Sequence, residues 1–247
     1  MAHDFSGKLA LVTGASRGIG AAVAKALAHH GAHVILLART QGALEEVDDA
    51  IRADGNGKAT LIPMDLGKLD DVDKLGPSIR ERFEKLDIFF GNAGMLGPLT
   101  PAHQIDPKDW QKVMTVNFFA NIHLVRTLDP LLRAADEARV VFNTAGEYAE
   151  NGMAYWSPYM ASKAALNSFA KTYALETRRT NMKVNMLYPG ATDTKLMNEA
   201  FSGKTKMKMK DPQDIVPHVL DLMNADCENH GERVVVKDTA SAQKKSA

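Results

Sequence analysis

The chain has one cysteine, Cys227, among 247 residues. A single thiol excludes any internal disulfide and any cysteine-built metal cluster, and it makes a reducing compartment the default. Neither sign of charge is in excess: Lys and Arg total 30, Asp and Glu total 30, and formal net charge is zero. Nucleic-acid binders and anionic-membrane binders rely on a basic excess, so this balance speaks against both. No stretch approaches the roughly 18–20 apolar residues that span a bilayer. Met1–Lys8 lacks the apolar core of a secretory signal, and the expectation is a cytoplasmic protein. What is present is ordinary for a globular chain: 45% hydrophobic and 24% charged residues, against the low hydrophobicity and high net charge of disorder. The length suits a single domain with a full core, because α/β folds of about 200–250 residues often form one domain.

Short apolar runs alternate with helical stretches. Strand candidates are Lys8–Thr13, His33–Ala38, Ala59–Met64, Asp87–Gly91, Arg139–Asn143, Met182–Leu187 and Arg233–Val236. Helices are expected over Arg17–His30, Gln41–Ala53, Leu69–Glu84, about Pro107–Ala134, Ser157–Arg179 and Pro212–Met223. Apolar runs of about 4–8 residues between helices of about 10–15 indicate βαβ units and a parallel sheet. Near-continuous apolar strands suit a sheet covered on both faces. Neither an interdomain linker nor a fixed-period repeat is visible. Two regions stand apart: a polar connection at Lys204–Lys210, and Ala240–Ala247, read as a flexible tail.

The first strand runs into Thr13-Gly14-Ala15-Ser16-Arg17-Gly18-Ile19-Gly20. Glycines where a strand turns into a helix let the backbone approach a pyrophosphate, and the helix N-terminus presents free N–H groups to it. Its place after the first strand of a βαβ series favours dinucleotide binding over a plain structural turn. An acidic residue after the second strand would hold the ribose of NAD. Here that strand ends Ala38-Arg39-Thr40, without a carboxylate. Arg39 can clamp a phosphate in a forked geometry, and Arg17 is a second cation within reach. The pair favours NADP(H); two solvated surface arginines and an NAD preference are the alternatives.

Tyr159-Met160-Ala161-Ser162-Lys163 opens the long helix that follows the fifth strand. Positions i and i+4 share a helical face, so the phenol and the ammonium can share a site. An unperturbed Tyr has a pKa of about 10, whereas a general acid or base works best near operating pH. A neighbouring Lys cation, with the nicotinamide cation, is a reasonable source of the needed stabilisation.

Taken with the glycine turn, these motifs resemble the short-chain dehydrogenase/reductase family. Its other landmarks appear in order. Asp65-Leu66 follows the third strand, Asn92-Ala93-Gly94 the fourth, Asn117 lies in the next helical region, and Pro189-Gly190 follows the sixth strand. The resemblance covers residues 8 to about 195. It implies a single NADP-binding domain over residues 1–247, α/β, Rossmann-type and doubly wound, with about seven parallel strands ordered 3-2-1-4-5-6-7 and helices on both faces. It implies cofactor contacts from Gly14, Ser16, Arg17, Gly18, Ile19, Gly20, Arg39, Asp65, Leu66, Asn92, Ala93, Gly94, Tyr159, Lys163, Pro189, Gly190, Thr192 and Thr194, and no metal. Tyr159 is implied as proton donor, Lys163 as its partner and ribose ligand, and Asn117 as holder of a relay water. A homodimer or homotetramer through helices about 107–134 and 157–179 is implied too, although the last strand lacks the glycine-rich segment usual after it.

The chain departs from the family at the catalytic serine. Counting forward from the fifth strand puts Ala145 there; counting back thirteen from Tyr159 gives Gly146. Neither has a hydroxyl, and loss of such a donor typically costs about 10²–10³ in rate. Three readings follow: Thr144 substitutes, another donor such as Tyr148 does, or the protein is a weak or inactive enzyme.

The implied substrate lid spans about 195–211, with Leu196, Met197, Phe201, Met207 and Met209. Adaptable methionines suit an apolar substrate. Lys204, Lys206, Lys208 and Lys210 could attract an anionic carrier, although a solvated loop is the simpler reading. Tyr155 and Trp156 are read as pocket walls or packing aromatics. The expected function is reversible hydride transfer between NADPH and a small-molecule carbonyl or alcohol, apolar in character. A catalytically inactive NADP(H)-binding regulatory or scaffold protein is the competing reading.

Overall fold

Alternating side chains decide the architecture. Along β1 (Leu9–Thr13), Ala10 and Val12 join one apolar layer while Leu9 and Leu11 join another, the two-residue period of a strand buried on both faces. The computed structural model describes residues 3–201 and 208–237. Seven strands form one parallel sheet, ordered β3-β2-β1-β4-β5-β6-β7. Those not yet placed are β2 (His33–Ala38), β3 (Lys58–Pro63), β4 (Ile88–Gly91), β5 (Ala138–Asn143), β6 (Met182–Tyr188) and β7 (Arg233–Val235). The expected doubly wound α/β architecture and strand order are thus the observed ones.

Helices α1 (Gly18–His29) and α2 (Gln41–Asp54) cover one face, supplying Val23, Leu27, Leu44 and Ile51 to the first layer. The other face is covered by α3 (Leu69–Asp73), α4 (Leu75–Arg80), α5 (Pro107–Met114), α6 (Ala120–Ala134) and, after the short α7 (Gly146–Asn151), α8 (Ser157–Thr177). Within it, Val72, Ile79, Leu124, Leu128 and Leu166 fill the second layer. A short α9 (Lys195–Ala200) precedes α10 (Pro212–Met223), which returns to the first face through Ile215 and Val219. No helix among the described residues is long and apolar enough to cross a membrane.

Two expected helices are broken. The stretch read as Leu69–Glu84 becomes α3 and α4 because Pro77 has no N–H to offer the Asp73 carbonyl. The Thr127 hydroxyl of α6 donates to that carbonyl instead at 2.8 Å, and accepts from the Gly76 N–H at 3.0 Å. The stretch read as Pro107–Ala134 is interrupted by a wide π turn at Thr115–Phe119. Such turns recur at functional sites, and this one carries Asn117. Helix α7 was not expected; residues 144–156 read as loop.

Gly76 shows how closely α4 meets α6: a Cβ there would overlap the Thr127 carbonyl oxygen. Helix propensity alone makes Gly→Ala favourable by about 1 kcal/mol. We expect Gly76→Ala to destabilise by about 1–3 kcal/mol through overpacking, seen as a lower urea midpoint; a raised midpoint would contradict the packing.

Candidate active site

Every strand of a parallel sheet ends on the same edge, and a cleft of about 1250 Å³ opens there. At one end lies the glycine turn. Gly14 sits at φ +65°, and a side chain on it would press within 3.0 Å of Ala93 Cα. A Cβ on Gly20 would overlap the Gly14 carbonyl oxygen. Gly20 thus stands behind the cleft wall and lets α1 press against the turn, while Gly14, Ser16, Arg17, Gly18 and Ile19 line the cleft. Arg17 and Arg39 are both exposed at this end, as is Asp65; Leu66 beside it is buried. Asp65 Oδ1 accepts from the Gly67 N–H at 2.9 Å, closing its own turn.

The strand ends are tied together by one chain of hydrogen bonds. The Thr13 hydroxyl, 1% exposed, accepts from the N–H groups of Asn92 at 2.9 Å and Ala93 at 3.0 Å. Asn92 Nδ2 donates back to the Thr13 carbonyl at 3.0 Å, and its Oδ1 accepts from Asn143 Nδ2 at 2.9 Å. The Asn143 carbonyl accepts from Lys163 Nζ at 2.7 Å. β1, β4 and β5 are therefore linked to the lysine of α8. Gly94 keeps the space beside it open: its missing Cβ would lie 3.7 Å from Lys163 Nζ.

Tyr159 and Lys163 meet on one face of α8, with Nζ 5.8 Å from the phenol ring centroid. Lys163 is buried and Tyr159 part-buried. Burial pushes the phenol up to about 12 and the ammonium down to about 8. Desolvation disfavours each charged form. At neutral pH the protein alone thus keeps Tyr159 protonated and Lys163 charged, and the lysine does not by itself bring the phenol toward neutrality.

Asn117 is fully buried and does not line the cleft. Its Oδ1 accepts from the Met95 N–H at 2.8 Å, and its Nδ2 donates to the Met95 carbonyl at 2.9 Å and to Ser162 Oγ at 3.0 Å. Its main-chain carbonyl accepts from Asn121 Nδ2 at 2.9 Å. The Asn117 side chain fixes the segment after Gly94 and does not line the cleft. Ser162, which donates to the Tyr159 carbonyl at 2.7 Å, and Thr13 escaped the sequence reading. Both lie within quoted motifs, but nothing in the sequence says where their hydroxyls point.

Thr144 lines the cleft, but its hydroxyl is engaged. β5 keeps pairing with β6 past its end, with the Thr144 N–H on the Leu187 carbonyl at 2.8 Å. The Thr144 hydroxyl donates to that same carbonyl at 3.1 Å and is buried. The chain turns only at Ala145, which caps α7 and packs in the cluster containing Tyr159 and Trp156. Gly146 has φ +53°, and a Cβ there would overlap the Tyr188 ring. Only position 145 could hold a serine in this cleft wall.

Beyond Tyr159 the cleft is apolar. Trp156 is 6% exposed and packs 5.8 Å from the Tyr159 ring and 5.7 Å from that of Phe201. Leu96, Leu196 and Met197 close around it. Tyr155 is 58% exposed and outside the cleft lining. Pro189, Gly190, Thr192 and Thr194 line the cleft's other wall. The Thr192 hydroxyl donates to the Gly190 carbonyl at 3.3 Å, and Thr194 caps α9 through the Met197 N–H. Backbone bonds from Lys210 N–H to the Ala191 carbonyl and from Asp193 N–H to the Lys210 carbonyl pin the two ends of the expected lid together. Lys204, Lys206 and Met207, and the tail at 240–247, lie outside the described residues.

Residues 8–205 match the family model described as short chain dehydrogenase. The chain is 35% identical to the oxidoreductase YciK of Escherichia coli, over 89% of this chain and 87% of that one. It is 34% identical to benzil reductase ((S)-benzoin forming) of Saccharomyces cerevisiae, over 78% of this chain and 74% of the other. A short chain dehydrogenase from Escherichia coli CFT073, solved in complex with NADPH, superposes with a TM-score of 0.88 at 33% identity, covering 96% of this chain and 100% of that one.

The Thr13 hydroxyl gives the network a direct test. Thr13→Val leaves the Asn92 and Ala93 N–H groups without their acceptor, at about 1–3 kcal/mol each. The expected result is a thermal midpoint lower by roughly 2–4 °C per kcal/mol; an unchanged midpoint in calorimetry would contradict it.

Proposed function

Because the chain belongs to the short-chain dehydrogenase family, we propose that it is an NADP(H)-dependent oxidoreductase that reduces an apolar carbonyl compound. The observation that carries this reading is the meeting of Tyr159 and Lys163 on the cleft floor, within the reach of Gly94 and the apolar wall of Trp156. The cleft fits the dinucleotide. The α1 N-terminus and side-chain-free Gly14 and Gly18 leave room and N–H groups for a pyrophosphate. Arg17 and Arg39, both exposed on the lining, suit a 2′-phosphate better than a bare ribose hydroxyl. The relative solved with NADPH supports the same choice.

When bound, the cofactor supplies or accepts the hydride. Tyr159 gives its proton to the carbonyl oxygen as negative charge develops there. Lys163, held by the Asn143 carbonyl, faces that charge as a cation and is placed to bond the nicotinamide ribose. Asn117 and Ser162 hold the backbone of Met95 and Tyr159 in place. Phenol and ammonium both protonated at neutral pH are the forms from which a proton can pass to the substrate oxygen. The competing reading, an NADP(H)-binding protein without turnover, is favoured by one observation: neither Ala145 nor the bonded Thr144 offers the cleft a hydroxyl proton.

The test is NADPH oxidation over a panel of aldehydes, ketones, quinones and acyl thioesters, with NADPH affinity measured in parallel. Turnover by the wild type, lost by about 10²–10⁴ in Tyr159→Phe at nearly unchanged NADPH affinity, is the expected result. Full turnover by Tyr159→Phe would overturn the assignment. NADPH binding without turnover on any carbonyl would favour the competing reading.

A further inference from the structure

Reduction of a carbonyl in this cleft calls for a hydrogen-bond donor to the substrate oxygen besides Tyr159. The side-chain donors at the end of β5 each have a partner already. The Thr144 hydroxyl is on the Leu187 carbonyl, Asn143 Nδ2 is on Asn92 Oδ1, and Ser162 is buried and donates to the Tyr159 carbonyl. Ala145 and Gly146 have nothing to donate.

Another hydroxyl stands close by in the chain, on α7. Tyr148 lines the same cleft as Tyr159 and Ala145, is 55% exposed, and its hydroxyl has no hydrogen-bond partner among the described residues. Its placement is built from neighbouring residues. Ala145 caps α7 and Tyr148 follows three positions later, so the two are neighbours on the helix surface. The Tyr188 ring stands where a side chain at position 146 would be, which only glycine at φ +53° permits. Tyr188 in turn meets Tyr148 edge-to-face, with centroids 6.2 Å apart and an interplanar angle of 70°. Gly146 thus admits the ring that Tyr148 packs against.

Resting on the reductase reading above, we propose that Tyr148 is a catalytic residue: its hydroxyl donates a hydrogen bond to the substrate carbonyl oxygen. In the reaction the carbonyl carbon gains the hydride from the nicotinamide cofactor. The oxygen gains the proton of Tyr159, and Tyr148 keeps its own. Tyr148 therefore acts on developing charge and leaves the stoichiometry untouched, the role in which one donor is worth about 10²–10³ in rate.

The experiment compares wild type, Tyr148→Phe, Ala145→Ser and the double variant on the best substrate of the panel, with NADPH affinity as a check on folding. Tyr148→Phe keeps the ring and its contact with Tyr188. The expected result is a kcat lower by about 100- to 1000-fold with little change in KM, restored when Ala145→Ser is added. Wild-type kcat in Tyr148→Phe would overturn the proposal, as would a rise in KM alone without rescue, which marks a pocket wall. Turnover by Ala145→Ser and not by wild type would sink the proposal while leaving the reductase scaffold standing. No turnover by either would sink the reductase reading with it.

Discussion

The site depends on the hydrogen-bonded chain that joins the ends of β1, β4 and β5 to Lys163. A parallel sheet brings its strand ends to one edge, but it leaves their last N–H and C=O groups without partners. Thr13 and Asn92 satisfy such groups with side chains rather than with further strand, and the Asn143 side chain braces that of Asn92. The result is a rigid rim on which a buried ammonium can be held by a main-chain carbonyl. Glycines at 14 and 94 then keep the rim free of side chains where the cofactor and the reacting atoms are proposed to sit.

That rim holds groups that are poorly solvated. A buried lysine held by a neutral carbonyl is less stable than one in water, and its ammonium is correspondingly pushed down. Tyr159 is pushed the opposite way by the same desolvation. Such opposed shifts in a cleft mark a functional site rather than a stabilising one. In the proposed reaction the positive nicotinamide, not the protein alone, would complete the field that favours a phenolate. The second apolar wall, built from Trp156, Met160 and Leu96, keeps that field from being screened by water.

Much of this was legible in the residues. Apolar alternation placed the seven strands, and Gly14, Gly18 and Gly20 marked the first turn. The i, i+4 spacing put Tyr159 and Lys163 on one face. What escaped the reading depends on contacts between distant segments. The helix expected over Leu69–Glu84 ran through Pro77, and it is Thr127 of another helix that takes up the carbonyl this proline leaves free. The π turn at Thr115–Phe119 has no local composition that announces it. The direction of a hydroxyl is equally silent: Thr144 is the nearest hydroxyl to the missing serine, but it bonds the Leu187 carbonyl. The choice between Ala145 and Gly146 turned on the Tyr188 ring, more than forty positions along the chain.

The central claim is that burial keeps the proton on Tyr159 until the cofactor's charge arrives. It is tested by titrating the phenol with ultraviolet difference spectra of wild type against Tyr159→Phe, with and without NADP⁺. The account predicts a phenol that without cofactor ionises above the ordinary value of about 10, toward about 12, and at markedly lower pH with NADP⁺ bound. A Tyr159 phenolate at neutral pH in the free protein would contradict it.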